Sequence, residues 1–251
     1  MRFSLPALTL VLALFSAADA RRHRRRPHHK PHRHAHDGGD DDGGSSSARL
    51  QSVPDNVQEL YDRSEHGCSG GVVLDSQSGG FHAAGRPNAH YCGDKKSKPS
   101  LVTLMANMDV DCDGGRKDGP CGNDPSHQSQ TAFEWKGRPV DAGTVPYVVF
   151  NEQRSFSASK YGFKGFDVVG VVCGKGGKMT WGVFADANAQ GNAGEASINL
   201  ARTCFGDRMT GNSGHDDGDV LYFAFPGQVD PHGGTNYAAL AELGNSLLKN
   251  V

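Results

Sequence analysis

The chain has 251 residues, 36% of them hydrophobic, and carries 26 Lys and Arg against 28 Asp and Glu. Its near-neutral total hides an asymmetry: beyond residue 47 there are 18 Lys and Arg against 23 Asp and Glu, so the folded part attracts polycations and repels nucleic acid. No apolar run reaches the roughly 20 residues needed to cross a bilayer, which excludes a helical membrane anchor and leaves a soluble protein with neither membrane nor nucleic acid among its partners.

Residues 1–20 read as a secretory signal peptide: Arg2 precedes an apolar run from Leu5 to Phe15, and Ala18 and Ala20 supply the small-x-small pattern of a cleavage site. Residues 21–47 pass from Arg, His, Lys and Pro to Asp37, Asp40, Asp41 and Asp42 and then to Gly and Ser. This composition buries too little apolar surface to offset its ordering entropy, so it predicts a disordered leader. Residues 48–251 suit one folded domain, expected to be a secreted, extracellular monomer. No Asn-x-Ser/Thr acceptor occurs in it.

A short helix is predicted after Pro54, where Val57, Leu60 and Tyr61 fall at helical spacing, and a second near the C-terminus, where Leu240, Leu243 and Leu247 share a face that Gly244 weakens. Between them lie short apolar runs rich in β-branched and aromatic residues: Leu101–Met105, Tyr147–Phe150, Asp167–Cys173, Thr180–Phe184 and Val220–Phe225. With glycine-rich connections these predict a mainly β fold with a few short helices, a closed or nearly closed barrel rather than a layered α/β fold, with a β-sandwich as the open alternative. Six cysteines (Cys68, Cys92, Cys112, Cys121, Cys173 and Cys204) in an exported chain predict three disulfides, with the pairing open; zinc is the weaker reading, because no CxxC pair occurs.

Chemistry concentrates between Trp181 and Ser197. A strand ending near Ala185 presents Asp186, a small-residue loop follows, and Glu195 opens a short helix. The loop can fold back to set the two carboxylates across one cleft, as glycosidic cleavage requires. The run Asp109-Val110-Asp111-Cys112-Asp113-Gly114 opens like a calcium loop, but Pro120 stands where the closing Glu belongs. The run His215-Asp216-Asp217-Gly218-Asp219 reads as a charged turn or a subsite for amino groups. Gly67-Cys68-Ser69-Gly70-Gly71 matches a nucleophile elbow in letters only, since a helix signal precedes it and a strand signal follows.

Four blocks taken together, Met108–Gly114, Asp118–Gly122, Phe184–Leu200 and Gly214–Tyr222, carry a resemblance. The span from about Tyr61 to Phe225 resembles the fungal chitosanases of glycoside hydrolase family 75. The resemblance implies endo-hydrolysis of the β-1,4 linkages of chitosan with inversion, Glu195 as general acid, Asp186 as general base, and no metal or organic cofactor. Asp109, Asp111, Asp113, Asn188, Asp216, Asp217 and Asp219 are the candidate substrate-binding residues, because carboxylates gain charge-assisted hydrogen bonds to protonated amines.

Overall fold

The computed structural model describes residues 49–79, 89–153, 156–188 and 192–251. The signal peptide and leader expected over 1–47 lie outside the described residues, as does the middle of the loop between Asp186 and Glu195. In chain order the elements are α1 (Asp55–Glu65), β1 (Val72–Gly79), β2 (Ala89–Gly93), β3 (Val102–Asp111), β4 (Glu134–Trp135), β5 (Arg138–Pro139), β6 (Tyr147–Gln153), β7 (Phe156–Ser157), β8 (Asp167–Val172), β9 (Met179–Asn188), β10 (Asn192–Ala193), β11 (Glu195–Ser197), α2 (Ile198–Phe205), β12 (Gly214–Val229) and α3 (Tyr237–Leu247).

Strands β3, β11, β6, β9, β8 and β12 pair in that order, and β12 pairs back to β3, closing a six-stranded barrel. Closure removes the exposed edges that an open sheet would leave. Along one edge of β3, residues Val102–Leu104 pair antiparallel with β2 and Asp109–Asp111 pair parallel with β11, while β12 runs along the other edge. β1 and β10 extend the sheet beyond β2. All ten residues of β3 are buried, consistent with a strand that is paired on both edges.

The five apolar runs all form strands, but four reach past their apolar residues, β6 by continuing from Phe150 to Gln153. β3 continues from Met105 to Asp111 and β9 from Phe184 to Asn188, so Asp186 lies within a strand and not at its end. β12 begins at Gly214, and the acidic run expected as a turn is an irregularity inside it, between His215 and Val220. Glu195 does not open a helix. Glu195–Ser197 is a strand held between β3 and β6, and α2 starts at Ile198, where Ser197 Oγ accepts from Leu200 N at 3.3 Å. Pairing on both sides overrides the local helix signal, as tertiary context commonly does.

Three disulfides join Cys68–Cys92, Cys112–Cys121 and Cys173–Cys204, leaving no free thiol and no zinc ligand set among the cysteines. In the chain-entropy picture each contributes about 3 kcal/mol by restricting the unfolded chain. Cys112–Cys121 ties the end of β3 to the turn at Gly119–Cys121 and so fixes the start of the segment that follows.

α1 buries Val57, Leu60, Tyr61 and Ser64, and α3 buries Leu240, Gly244 and Leu247. Gly244 has a packing reason that its sequence context did not reveal: a Cβ there would lie 2.4 Å from the ring of the fully buried Trp181. Alanine at this position gains about 1 kcal/mol of helix propensity but overpacks the indole at a cost of about 1–3 kcal/mol. Gly244→Ala is therefore expected to lower the melting temperature, by about 2–4 °C per kcal/mol lost. A raised melting temperature in thermal denaturation would contradict this packing.

Candidate active site

The β6–β9 pairing steps from Val148 opposite Phe184 to Val149 opposite Asp186, which leaves Ala185 as an extra residue in β9. The Ala185 carbonyl turns outward to accept from Phe133 N at 3.2 Å. Bulges of this kind re-aim the neighbouring side chain. Here the carboxylate of Asp186 meets the same incoming segment: its Oδ1 accepts from Ala132 N at 2.8 Å and from Ala187 N at 2.7 Å.

Val149 is also the register partner of Glu195 on its other side, and Glu195 in turn stands opposite Asp109 of β3. Asp186, Val149, Glu195 and Asp109 therefore form one row across β9, β6, β11 and β3. Gly194 makes the row possible. Its φ of +91° favours glycine, a Cβ would lie 2.5 Å from the Asn107 carbonyl, and its own carbonyl accepts from Asp109 N at 2.8 Å. Asn188 Nδ2 donates to Glu195 Oε2 at 3.1 Å.

Beside the row, Asp111 Oδ1 accepts from Asp113 N at 2.8 Å and Asp113 Oδ1 accepts from Gln128 N at 2.5 Å. A cavity of about 180 Å³ is lined by Asp111, Asp113, Asp124, Gln128, Asp186 and Glu195. A second cavity, of about 360 Å³, shares Val110, Ser126 and Glu195 with it and adds Asp109, Gly211, Asn212 and Ser213. Glu195 thus stands between two compartments of one cleft. A larger cavity of about 670 Å³ lies under Lys98, Lys160 and Lys249. It contains no paired carboxylates, so chemistry and not size assigns the site.

Of the residues predicted from sequence, Asp186, Glu195, Asp111, Asp113 and Asn188 line the first compartment and Asp109 the second. Asp216, Asp217 and Asp219 sit on the β12 irregularity, outside both linings. Asp216 and Asp217 are exposed there, while Asp219 bonds His215 Nε2 at 2.6 Å and accepts from Lys175 N at 2.9 Å. The lining residues Asp124, Ser126 and Gln128 were not among the candidates. They lie on a segment without apolar periodicity, brought to the cleft by the Cys112–Cys121 bond, by Gln128 N donating to Asp113 Oδ1, by Gly114 N donating to the Gln128 carbonyl and by the His127 ring at the Gly115 carbonyl.

Oxygens of Asp111, Asp113 and Asp186 all lie within 4.8 Å of one another, close enough for a cation to bridge. A calcium loop of the kind suggested by the sequence is not formed, because Asp109 and Asp111 are in extended β3 and Pro120 is in a 3-10 turn. The same crowding governs ionisation. Burial, with Asp109, Asp186 and Asp113 nearby, pushes Glu195 up to about 7 against the opposing bond from Asn188. Burial raises Asp186 as well, while the amides of Ala132 and Ala187 and a hydrogen bond from Asp111 hold it down. Burial and the charges of Glu195, Asp186 and Asp113 put Asp111 well above the usual carboxylate range. Asp113 is pushed up to about 6, again chiefly by burial.

The model of the fungal chitosanases of glycosyl hydrolase group 75 matches residues 108–248. An endo-chitosanase B of Aspergillus oryzae is 38% identical over 198 residues, covering 73% of this chain and 81% of the relative. An endo-chitosanase of Aspergillus fumigatus is 36% identical over 195 residues, covering 72% and 79%. A further endo-chitosanase of Aspergillus oryzae is 33% identical over 208 residues, covering 73% and 81%.

Raised carboxyl values have a consequence for stability. Between about pH 4 and 7 the folded protein keeps protons on Glu195 and Asp113 that the unfolded chain has released, so these groups make stability fall as pH rises through that interval. Glu195→Gln is expected to flatten the slope of melting temperature against pH over this range. A steeper decline in the variant than in the parent would contradict the assignment.

Proposed function

Because the chain belongs to the fungal chitosanases of glycosyl hydrolase group 75, a family of glycoside hydrolases, we propose that it is a secreted endo-chitosanase that cuts β-1,4 linkages between glucosamine residues with inversion, Glu195 serving as general acid and Asp186 as general base. The observation that carries this reading is the shared register partner: Asp186 and Glu195 flank Val149 from opposite strands. Two inter-strand spacings separate their backbones by about 9.5 Å. That separation suits carboxyls standing roughly 6.5–9.5 Å apart with a water between them, as inversion requires.

In this scheme protonated Glu195 gives its proton to the glycosidic oxygen as the bond from the anomeric carbon breaks. Asp186 takes a proton from the water whose oxygen bonds to that carbon from the opposite face. The ionisation pattern supports the division of roles. Glu195, pushed up to about 7, holds a proton in mildly acidic water, whereas three hydrogen bonds favour the charged form of Asp186. Substrate amines are charged under the same conditions, and Asp113 and Asp124 line the cleft to receive them. Three disulfides suit an oxidising compartment and support the reading of residues 1–20 as an export signal.

Reducing-end release from soluble chitosan tests the pair. Glu195→Gln and Asp186→Asn should each lower kcat by about 10²–10⁴-fold while remaining folded, and the alkaline limb of the parent's kcat/KM profile should fall near pH 7. Near-parental activity in either variant would remove that residue from the mechanism.

A further inference from the structure

The end of the barrel away from the cleft carries the opposite charge. The cavity of about 670 Å³ is lined by Lys98, Lys160 and Lys249, and no Asp or Glu lines it. All three lysines are exposed, and among the described residues none of them forms an ion pair. Ser100 lines this cavity, whereas Asp109 and Asp111 line the cleft, so about 30 Å of chain along β3 separates the two sites. We propose that the cavity binds a carboxylated polysaccharide and so holds the protein on polyanions with which its cationic substrate condenses. The binding site stands on the cavity itself, and its use as a tether rests on the chitosanase reading.

Each lysine is held at the cavity by structure that needs no ligand. Lys98 has φ +49°, in the left-handed region, although Pro99 favours extended backbone before it. Its loop is clasped by Asp94, whose Oδ1 accepts from Ser100 N at 2.8 Å and whose N donates to the Leu101 carbonyl at 3.2 Å. Lys160 lies over the ring of Tyr161, 5.5 Å from its centroid, and Tyr161 stacks on Phe156. The Glu152 carboxylate beside this turn is taken up by Ser157 Oγ and Ser159 N, both at 2.7 Å, and stays out of the lining. Lys249 follows α3 in a turn whose Leu248 carbonyl accepts from Asn56 Nδ2 at 2.7 Å. Like charges gathered without a counter-charge repel one another, and an anion between them relieves that repulsion.

Volume and lining select the ligand. The cavity falls within the roughly 300–1,000 Å³ of sites for drug-sized organic ligands, far more than one inorganic anion fills. Ser100, Ser159, Gln228 and Asn250 add neutral hydrogen-bonding side chains to the lysines, which suits a polymer that alternates hydroxyls with carboxylates. Tyr161 and Phe225, the aromatic residues of the lining, are buried, so no ring stands out for a nucleic-acid base to stack on. Among the described residues only Val73 and Val229 expose a large apolar side chain, too little to insert into a bilayer. A polycation and a polyanion condense on each other in water. Holding the polyanion at one end of the barrel therefore keeps the polycation at a raised effective concentration near the cleft.

Titration of the full chain with soluble oligogalacturonate at low salt tests the site. Replacing Lys98, Lys160 and Lys249 together by Gln should weaken binding by about tenfold. The same replacement of the exposed Lys117, Lys136 and Lys178, which removes equal charge elsewhere, should weaken it by less than about twofold. Oligoglutamate of matched length should bind at least about fivefold more weakly than oligogalacturonate, and inorganic phosphate at the same concentration of charge should not compete. Equal losses in the two triple variants would assign binding to net charge, equal affinity for oligoglutamate would remove the sugar, competition by phosphate would make this a small-anion site, and no binding by the parent would remove the site; each result overturns the proposal. If the cavity triple does not fold, Lys160→Gln and Lys249→Gln decide, each expected to weaken binding by about twofold, and no loss in either overturns it. The tether is read on chitosan. The cavity triple should cut free soluble chitosan at the parental kcat/KM but cut chitosan precipitated with polygalacturonate about tenfold more slowly than the parent, and equal rates on the precipitate would overturn the tether. If the parent does not cut free chitosan, the chitosanase reading fails and the tether with it. Normal cutting without binding to oligogalacturonate leaves that reading intact and removes only this proposal.

Discussion

The rest of the structure depends on the repulsion among Asp109, Asp111, Asp113, Asp186 and Glu195, gathered on one cleft wall. Two charged carboxylates with oxygens 4.8 Å apart repel by roughly 3.5 kcal/mol at an effective dielectric of about 20. Among the described residues no Lys or Arg forms an ion pair with Asp111, Asp113, Asp186 or Glu195. Two features of the fold answer the repulsion: burial and crowding raise Glu195, Asp111 and Asp113 above the ordinary carboxylate range, and amide N–H groups of Ala132, Ala187, Asp113 and Gln128 point at carboxylate oxygens.

Placing those groups requires a short strand in an exacting position. β11 is only three residues long, yet it pairs with β3 on one side and β6 on the other and so completes the barrel wall. Gly194 lets it approach β3, Ser197 ends it and caps α2, and Glu195 is its first residue. On the next strand but one, the extra Ala185 in β9 brings Asp186 into the same row. Beneath this wall Phe150, Phe163 and Phe184 pack with their centroids 5.3–5.9 Å apart, giving β6 and β9 a rigid apolar backing.

Much of this was legible in the sequence where burial and pattern coincide. The apolar runs became strands, closure into a barrel followed, and the two helices lie at the places that their spacing indicated. The misplacements share a cause. Asp109 and Asp111 look like the opening of a loop because strands are recognised by apolar residues, yet β3 carries them buried. Glu195 looked like a helix start because the two-sided pairing that makes it a strand comes from residues far away in the chain. Asp124 and Gln128 gave no local sign at all, since a disulfide and hydrogen bonds such as that from Gln128 N to Asp113 bring their segment to the cleft. Asp216 and Asp217 are acidic and lie within one of the resembling blocks, but the β12 irregularity leaves them exposed, outside the lining of the cleft.

The central claim is that Asp186 and Glu195, one strand apart across Val149, leave room for a water between acid and base. Proton NMR of the anomeric region during the first minutes of chitosan cleavage tests this most directly. The account predicts that the new reducing ends appear first as the α-anomer, the inverted configuration, and equilibrate afterwards. Initial formation of the β-anomer would mean retention through a covalent intermediate, and would contradict the geometry on which the mechanism rests.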